Sequence, residues 1–311
     1  MNSRIYSAKM IESMKSHLDN TVSRYITYPK FVFLCGVAYS KNEYDTSNRG
    51  ITGKYLQRKS DDVFIVLSEK LWEDNFDSNI DLLTFEDFLA EVSDSIILFV
   101  ESPGSFCELG AFAYAEKQFS DKLIIVIDEK YKGDKSFIIT GPTSKALKDG
   151  ARVIYAPLGG TGLLSSFDLR SALDEKIQEF KSKSSMHNKR TPNQAEDSIL
   201  INSFILELLE LIKILQPISR RDLIDVYKAV KGFSAFTFVK KDGSTFHNEI
   251  KIDYIIKLLK TVELIEVNDN IITTSKQAKS QALMFTYSKK AENQERNKLL
   301  CRKYRYRESV K

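Results

Sequence analysis

The twelve residues Glu101 to Phe112, ESPGSFCELGAF, put an acidic side chain, Glu108, just beyond a turn of small residues. A carboxylate held at the mouth of a sheet can attack an electrophilic carbon or steady a developing positive charge. The apolar run Ser95 to Val100 reads as a fully buried strand, and Ser102, Pro103, Gly104 and Ser105 turn the chain after it. Leu109 and Ala113, and Ala111 and Ala115, then recur at helical spacing. Ser105 is a candidate helix cap, with Glu108 three residues later. Two readings follow. In one, Ser105 and Glu108 form a capping box. In the other, the turn lies at the carboxyl end of a parallel strand and Glu108 faces the ligand crevice beside exposed backbone amides.

The elements around that stretch repeat in order. Phe31 to Leu34 is a strand followed by Cys35 and Gly36, where a glycine admits close approach to the backbone. Asp62 to Leu67 is a second strand ending at Ser68 and Glu69; Ile80 to Val92 is an amphipathic helix; Lys122 to Ile127 and Ala151 to Ala156 are further strands. Alternating strands and helices predict an α/β domain with a doubly wound, mostly parallel sheet, Rossmann- or flavodoxin-like. The polar segment Tyr39 to Gly53 reads as a loop whose Arg49 either meets a phosphate or ribose or is a solvated surface residue. The loop PLGGTG, Pro157 to Gly162, lacks phosphate-cradle spacing and reads as plain. The candidate substrate-binding residues are Gly36, Arg49, Glu69, Ser102, Gly104 and Ser105.

The string ESPGSFCELGAF, preceded by Asp94 and an Ile-Ile-Leu-Phe strand, resembles the nucleoside 2-deoxyribosyltransferase-like family, and Glu108 falls on that family's nucleophile. Together with FLCG at Phe33 to Gly36 and KSFIITGP at Lys135 to Pro142, it is similar to the effector proteins encoded beside retron reverse transcriptases. The resemblance covers most of residues 30 to 160. Six residues before the glutamate, the transferases usually carry an Asp that helps hold the base; this chain has Ser102.

The chain has 311 residues, 42% hydrophobic and 28% charged, which is ordinary for a globular protein. No apolar run is long enough to span a bilayer, and the amino terminus lacks a signal-peptide core, so a cytoplasmic location without membrane attachment is expected. Three widely spaced cysteines, Cys35, Cys107 and Cys301, and three histidines form no metal-ligand pattern, and no metal or cofactor is expected. Cys107 reads as a packing residue rather than a nucleophile. Residues 182 to 311 carry 24 Lys and Arg against 15 Asp and Glu, while residues 1 to 181 carry 22 against 27. A basic half joined to an acidic one suits a chain in which only the second half meets a polyanion.

The expected organisation is a helical appendage over 1 to 29, with Met10, Ile11, Met14 and Leu18 near one face; the deoxyribosyltransferase-like domain over 30 to 181; a polar linker over 182 to 197; a second domain over 198 to 285; and a basic tail over 286 to 311. Helices from about Ser198 to Leu215, Ser219 to Val230 and Asn248 to Val262, then two short strands around Asn268-Asp269-Asn270, resemble a winged helix-turn-helix module. Lys251, Lys257 and Lys260 are its candidate phosphate contacts. In the tail, Tyr304 and Tyr306 lie among Arg302, Lys303, Arg305 and Arg307, a pattern for single-stranded or branched nucleic acid or for a solvated tail.

The resemblance implies a toxic effector of a retron antiviral system that hydrolyses the N-glycosidic bond of NAD or a related nucleotide, with NAD as substrate rather than cofactor. It also implies as partners the retron reverse transcriptase and its branched RNA-DNA, the multicopy single-stranded DNA, which hold the effector inactive; assembly into a homo-oligomer is a further expectation. Two other functions stay open: a nucleoside or nucleotide deoxyribosyltransferase, and a non-catalytic nucleotide sensor that regulates DNA.

Overall fold

The computed structural model describes residues 29–37, 43–72, 80–115, 119–159, 162–182, 198–246 and 250–275, with Ala8, Ile11, Glu12, Met14, Lys15 and Leu18. The chain divides into two compact units, Pro29–Ser182 and a second one made of Met1–Tyr28 with Lys183–Lys311. In the leading segment the six described residues are helical, and Met14 and Leu18 are buried. Met10, most of the linker and the whole tail lie outside the described residues.

In the first unit, strands β1 (Lys30–Cys35), β2 (Val63–Val66), β3 (Ser95–Val100), β4 (Leu123–Asp128) and β5 (Arg152–Ala156) form one parallel sheet in the order β2-β1-β3-β4-β5. This is the Rossmann-like arrangement expected from the alternating pattern. β1 and β3 are buried along their whole length, as central parallel strands with both faces covered must be. The helices of this unit are α1 (Asn48–Lys59), α2 (Ser68–Trp72), α3 (Leu82–Val92), α4 (Pro103–Tyr114), α5 (Ser144–Lys148) and α6 (Phe167–Ser182); on one face of the sheet Val32, Leu34, Ile97, Phe99 and Val126 join Leu56 of α1 and Leu169, Leu173 and Ile177 of α6. The alternate residues point the other way, where Phe33 meets Phe112 of α4 edge to face at 6.4 Å.

Strand order reverses between β1 and β3. In open sheets of this order the crevice at the carboxyl ends of those two strands is where ligands sit. Cys35 and Gly36 leave β1 there, and Glu101 leaves β3.

From Glu43 onward the polar segment is not the open loop its residues suggest. A 3-10 turn at Tyr44–Thr46 leads into α1, whose cap is Ser47, accepting from the Gly50 amide at 3.0 Å. Gly50 and Gly53 read as turn formers, yet both are helical. A Cβ at Gly50 would overlap the Tyr44 carbonyl, so glycine is there to let the helix close against the preceding turn.

In the second unit, β6 (Ser198–Leu200) precedes α7 (Ile201–Leu215); then come β7 (Ile218–Ser219), α8 (Arg220–Lys231), β8 (Thr237–Val239), α9 (Ile252–Thr261), β9 (Ile265–Asn268) and β10 (Ile271–Thr274). The hairpin expected at Asn268 to Asn270 is present: Asp269 and Asn270 take φ of 49° and 65°, the backbone of a two-residue turn between β9 and β10. β7, β10 and β9 form a three-stranded antiparallel sheet in that order. The first helix starts at Ile201, after a strand, and the third at Ile252, later than Asn248, with Lys251 as its cap. The parallel pair β6-β8 gave no sequence signal because each strand is only three residues long.

Gly50→Ala is expected to lower unfolding stability by about 1–3 kcal/mol through overpacking against Tyr44. Urea denaturation checks it; an unchanged midpoint would show that the turn at Tyr44 simply moves aside.

Candidate active site

The cap of α4 lies one turn earlier than the spacing suggests. Ser102, not Ser105, is the N-cap, Pro103 occupies the first helical position, and the reciprocal box joins Ser102 and Ser105. The Ser105 hydroxyl accepts from the amides of Glu101 and Ser102, both at 2.9 Å, and donates to the Ser102 carbonyl. This corrects the capping box expected between Ser105 and Glu108. Glu108 has no capping duty.

What surrounds Glu108 is mostly negative. Its carboxyl is partly buried, and Oε2 has no hydrogen-bond partner. Burial first, then the Glu86 carboxylate, push its pKa up to about 8; Arg49 opposes the rise and Glu69 adds to it. Glu86, on α3, is 7% exposed; burial raises its pKa too, a hydrogen bond from the Ser68 hydroxyl opposes that, and Glu69 reinforces it. The Cys35 thiol at the end of β1 is raised by burial and then by Glu108.

Arg49 is neither a loop residue nor a solvated one. It stands in the first turn of α1, 2% exposed, with ion-pair contacts to Glu69 of 2.6 and 3.1 Å, while its Nε has no hydrogen-bond partner. Glu69, in the first turn of α2 just after β2, is thereby paired within the protein. Desolvation pushes the Tyr44 hydroxyl up to about 12, Arg49 acting against it and Glu69 with it.

A second set of bonds ties the strand ends together. Glu101 accepts from the Val37 amide at 3.2 Å and from the Asn48 side-chain amide at 2.5 Å, and the Asn48 oxygen accepts from the Gly159 amide at 3.2 Å. Loops after β1, β3 and β5 are thus joined through two side chains. Burial raises the Glu101 pKa, against the pull of those hydrogen bonds and Arg49. Gly36 has φ +148°, and a Cβ there would come within 2.9 Å of Glu101 Oε1, so the glycine makes room for this carboxylate. Gly104 is open: a Cβ would meet only Ser102 Oγ, at 3.8 Å.

Glu86, Glu101 and Asn48 were missed in the sequence. Glu86 carries a signal, an acid between Phe85 and Phe88 beside the apolar stripe of a helix. Asn48 was hidden by the loop reading. Cys107, expected to pack inside, is exposed.

In the second unit Lys251 and Lys260 are exposed and Lys257 partly so. Between them Asp253 holds Arg220 of α8 through two bonds, 2.5 and 2.7 Å. Arg302, Lys303, Arg305 and Arg307 lie outside the described residues. Among the described residues no group of three or more His, Cys, Asp or Glu is placed to hold a metal, and no helix is long and apolar enough to cross a membrane.

Fold and site together define an α/β protein with a carboxylate-lined crevice at the point where its strand order reverses. The chain belongs to the STM3845 retron effector protein family, whose model matches residues 45–267. It is 29% identical over 215 residues to an Escherichia coli protein named "Retron Ec73 putative ribosyltransferase/DNA-binding protein", covering 65% of this chain and 67% of that one. It is 36% identical over 148 residues to its Escherichia coli counterpart of the same description from retron Ec86, covering 47% of this chain and 44% of the relative. The chain therefore matches less than half the length of that second relative.

The raised Glu108 pKa makes a stability prediction. The folded state keeps this proton up to about pH 8, while the unfolded carboxyl releases it near its ordinary value of 4.5, so stability falls as pH rises between those values. Glu108→Gln should leave the thermal midpoint near wild type at pH 4.5 and raise it at pH 8. Parallel curves for the two proteins would contradict a buried, protonated Glu108. Separately, Glu69→Ala leaves the Arg49 guanidinium buried without its partner and should cost about 3 kcal/mol in urea unfolding; a loss below about 0.5 kcal/mol, the scale of an ordinary surface substitution, would show that water replaces Glu69.

Proposed function

We propose that this chain is the toxic effector of a retron antiviral system and an N-glycosidase that hydrolyses NAD, or a related nucleotide, through Glu108. The observation that carries the reading is a Glu108 carboxyl in the second turn of α4, the helix that follows β3, with one oxygen unpartnered and no part in the helix cap. An Oε electron pair attacks the anomeric carbon, and the bond to the ring nitrogen breaks with its pair going to that nitrogen. Water then attacks the same carbon, the glycosyl ester bond breaks to restore the carboxylate, and the water proton leaves to solvent.

The substrate follows from charge. Glu108 must be ionised to attack, yet the free site holds a proton. A pyridinium ring brings a positive charge that favours ionisation, and nicotinamide leaves as a neutral base needing no general acid. Ser102, where the transferases carry an Asp, is engaged in the cap, which favours water over a second base as acceptor and so hydrolysis over deoxyribosyl transfer. The names of the two Escherichia coli relatives, ribosyltransferase and DNA-binding, agree in reaction type and in the role of the basic half.

The second unit is read as a winged helix, supported by its helix-strand-helix-strand-helix-hairpin order from α7 onward and the β7-β10-β9 sheet. With Asp253 and Arg220 satisfying each other at the start of α9, that helix has little to read base edges with, and contact with the branched RNA-DNA is electrostatic, through Lys251, Lys257, Lys260 and the basic tail. The reverse transcriptase with its multicopy single-stranded DNA restrains the enzyme in the cytoplasm of healthy cells.

The full chain, alone and with its reverse transcriptase complex, is incubated with NAD and with other nucleotides, and the products are separated by chromatography. Free nicotinamide from wild type, reduced by at least about a hundredfold in Glu108→Gln, is the expected result. Release of another base would change the substrate and keep the nucleophile; intact substrates in every sample would favour a non-catalytic sensor.

A further inference from the structure

Three consecutive residues at the start of α1 do three separate jobs. Ser47 caps the helix, Arg49 pairs with Glu69 of α2, and Asn48 between them, 1% exposed, joins loops that belong to other elements. The Asn48 amide nitrogen donates to Glu101 Oε2 at 2.5 Å, and its oxygen accepts from the Gly159 amide at 3.2 Å. That orientation is fixed, because a backbone N–H at Gly159 can meet only the oxygen. Glu101 is anchored from its other side: its backbone amide donates at 2.9 Å to Ser105 Oγ in the cap of α4, the helix that carries Glu108. Its remaining carboxylate oxygen accepts from the Val37 amide at 3.2 Å, in the room that Gly36 leaves. The cap itself closes through Ser102 and Ser105 without help from Asn48. So α4 holds Glu101, and Glu101 holds the loop after β1 and, through Asn48, the loop after β5. These bonds lie at the carboxyl ends of the strands, where the sheet order reverses.

We propose that Asn48 and Glu101 are a positioning pair for the reaction: they hold the loops that receive the nucleotide and set its affinity, without touching the reacting atoms. The inference rests on the reading that Glu108 cleaves a nucleotide bound in this crevice. A carboxylate held by neutral donors away from water binds them strongly, and losing one leaves a charged acceptor unsatisfied. Loops ordered before the ligand arrives need no ordering on binding, so the gain falls on affinity. Because α4 keeps its own cap, Glu108 stays in place when the pair is broken, and a nucleotide once bound is cleaved at nearly the wild-type rate. The bonding pattern can also be reversed. With a carboxylate at position 48 and an amide at position 101, the carboxylate accepts from the Gly159 amide and from the new amide nitrogen, while the new amide oxygen accepts from Val37. All three bonds then survive, with the donor and acceptor of the middle one exchanged.

Full-length wild type, Asn48→Asp, Glu101→Gln and the double variant carrying both are compared at neutral pH. Measured for each are kcat and KM of NAD cleavage, the thermal midpoint, and hydrogen exchange of the segments holding the Val37 and Gly159 amides. Asn48→Asp sets two carboxylates face to face and should raise KM by about tenfold or more, with kcat within about threefold of wild type. Glu101→Gln keeps two of the three bonds and should raise KM by about fivefold. The double variant should bring KM back to within about twofold of wild type and slow the exchange that Asn48→Asp speeds up. Should Asn48→Asp fold poorly, Glu101→Gln against the double variant makes the same comparison. Unchanged KM in the single variants, with only the thermal midpoint lowered, would overturn the proposal and leave the pair a structural tie. A double variant with wild-type midpoint and exchange but a KM still raised would also overturn it, since the Glu101 carboxylate would then be meeting substrate directly. If wild type does not cleave NAD, the glycosidase reading fails and exchange decides alone: fast in Asn48→Asp and slow again in the double variant keeps the pair as what positions the loops, and no change in either overturns it.

Discussion

The Arg49–Glu69 ion pair is the interaction on which the crevice depends. A guanidinium that is 2% exposed must be matched by a carboxylate, and the match fixes the first turn of α1 against the first turn of α2 just after β2. With that pair closed, the remaining acids have no counter-charge of their own. Burial then acts on Glu86 and Glu108 in the same direction, and both hold protons above the ordinary carboxylate range.

The same economy appears at the α4 turn. Pro103 lacks an amide hydrogen, so it fits the first helical position at no cost and moves the cap back to Ser102. The amides of Glu101, Ser102 and Ser105 are then all satisfied by two serine hydroxyls. Glu108 sits in the second turn, where helical geometry aims it away from the cap. Three residues of offset free this acid from the cap.

How far the sequence revealed this depended on the range of the interactions involved. The five strands and their parallel order were legible because each is a local run of β-branched and aromatic residues between turns, and the hairpin at Asp269-Asn270 because its residue pair favours left-handed backbone. Glu108 was singled out by its motif alone. The start of α1 was not, since Gly50 and Gly53 signal turns until Tyr44 is seen beside them. Nor were the partners: Asn48 meets Glu101 across 53 residues and Gly159 across 111, and no local pattern encodes such distances. Charge and polarity showed which residues had chemistry to do; tertiary packing decided with whom.

The Glu101–Asn48–Gly159 chain of bonds gives the crevice a mechanical property as well. Loops at the ends of parallel strands are the most mobile part of such folds, because neighbouring strands stop supporting them there. Here three such loops are linked through one carboxylate and one amide, both largely removed from water, where hydrogen bonds are strong and costly to break. Glu101 is seated in the space Gly36 leaves, so the bracket cannot slide along β1. A ligand that enters the crevice therefore meets a preformed rim rather than one it must assemble.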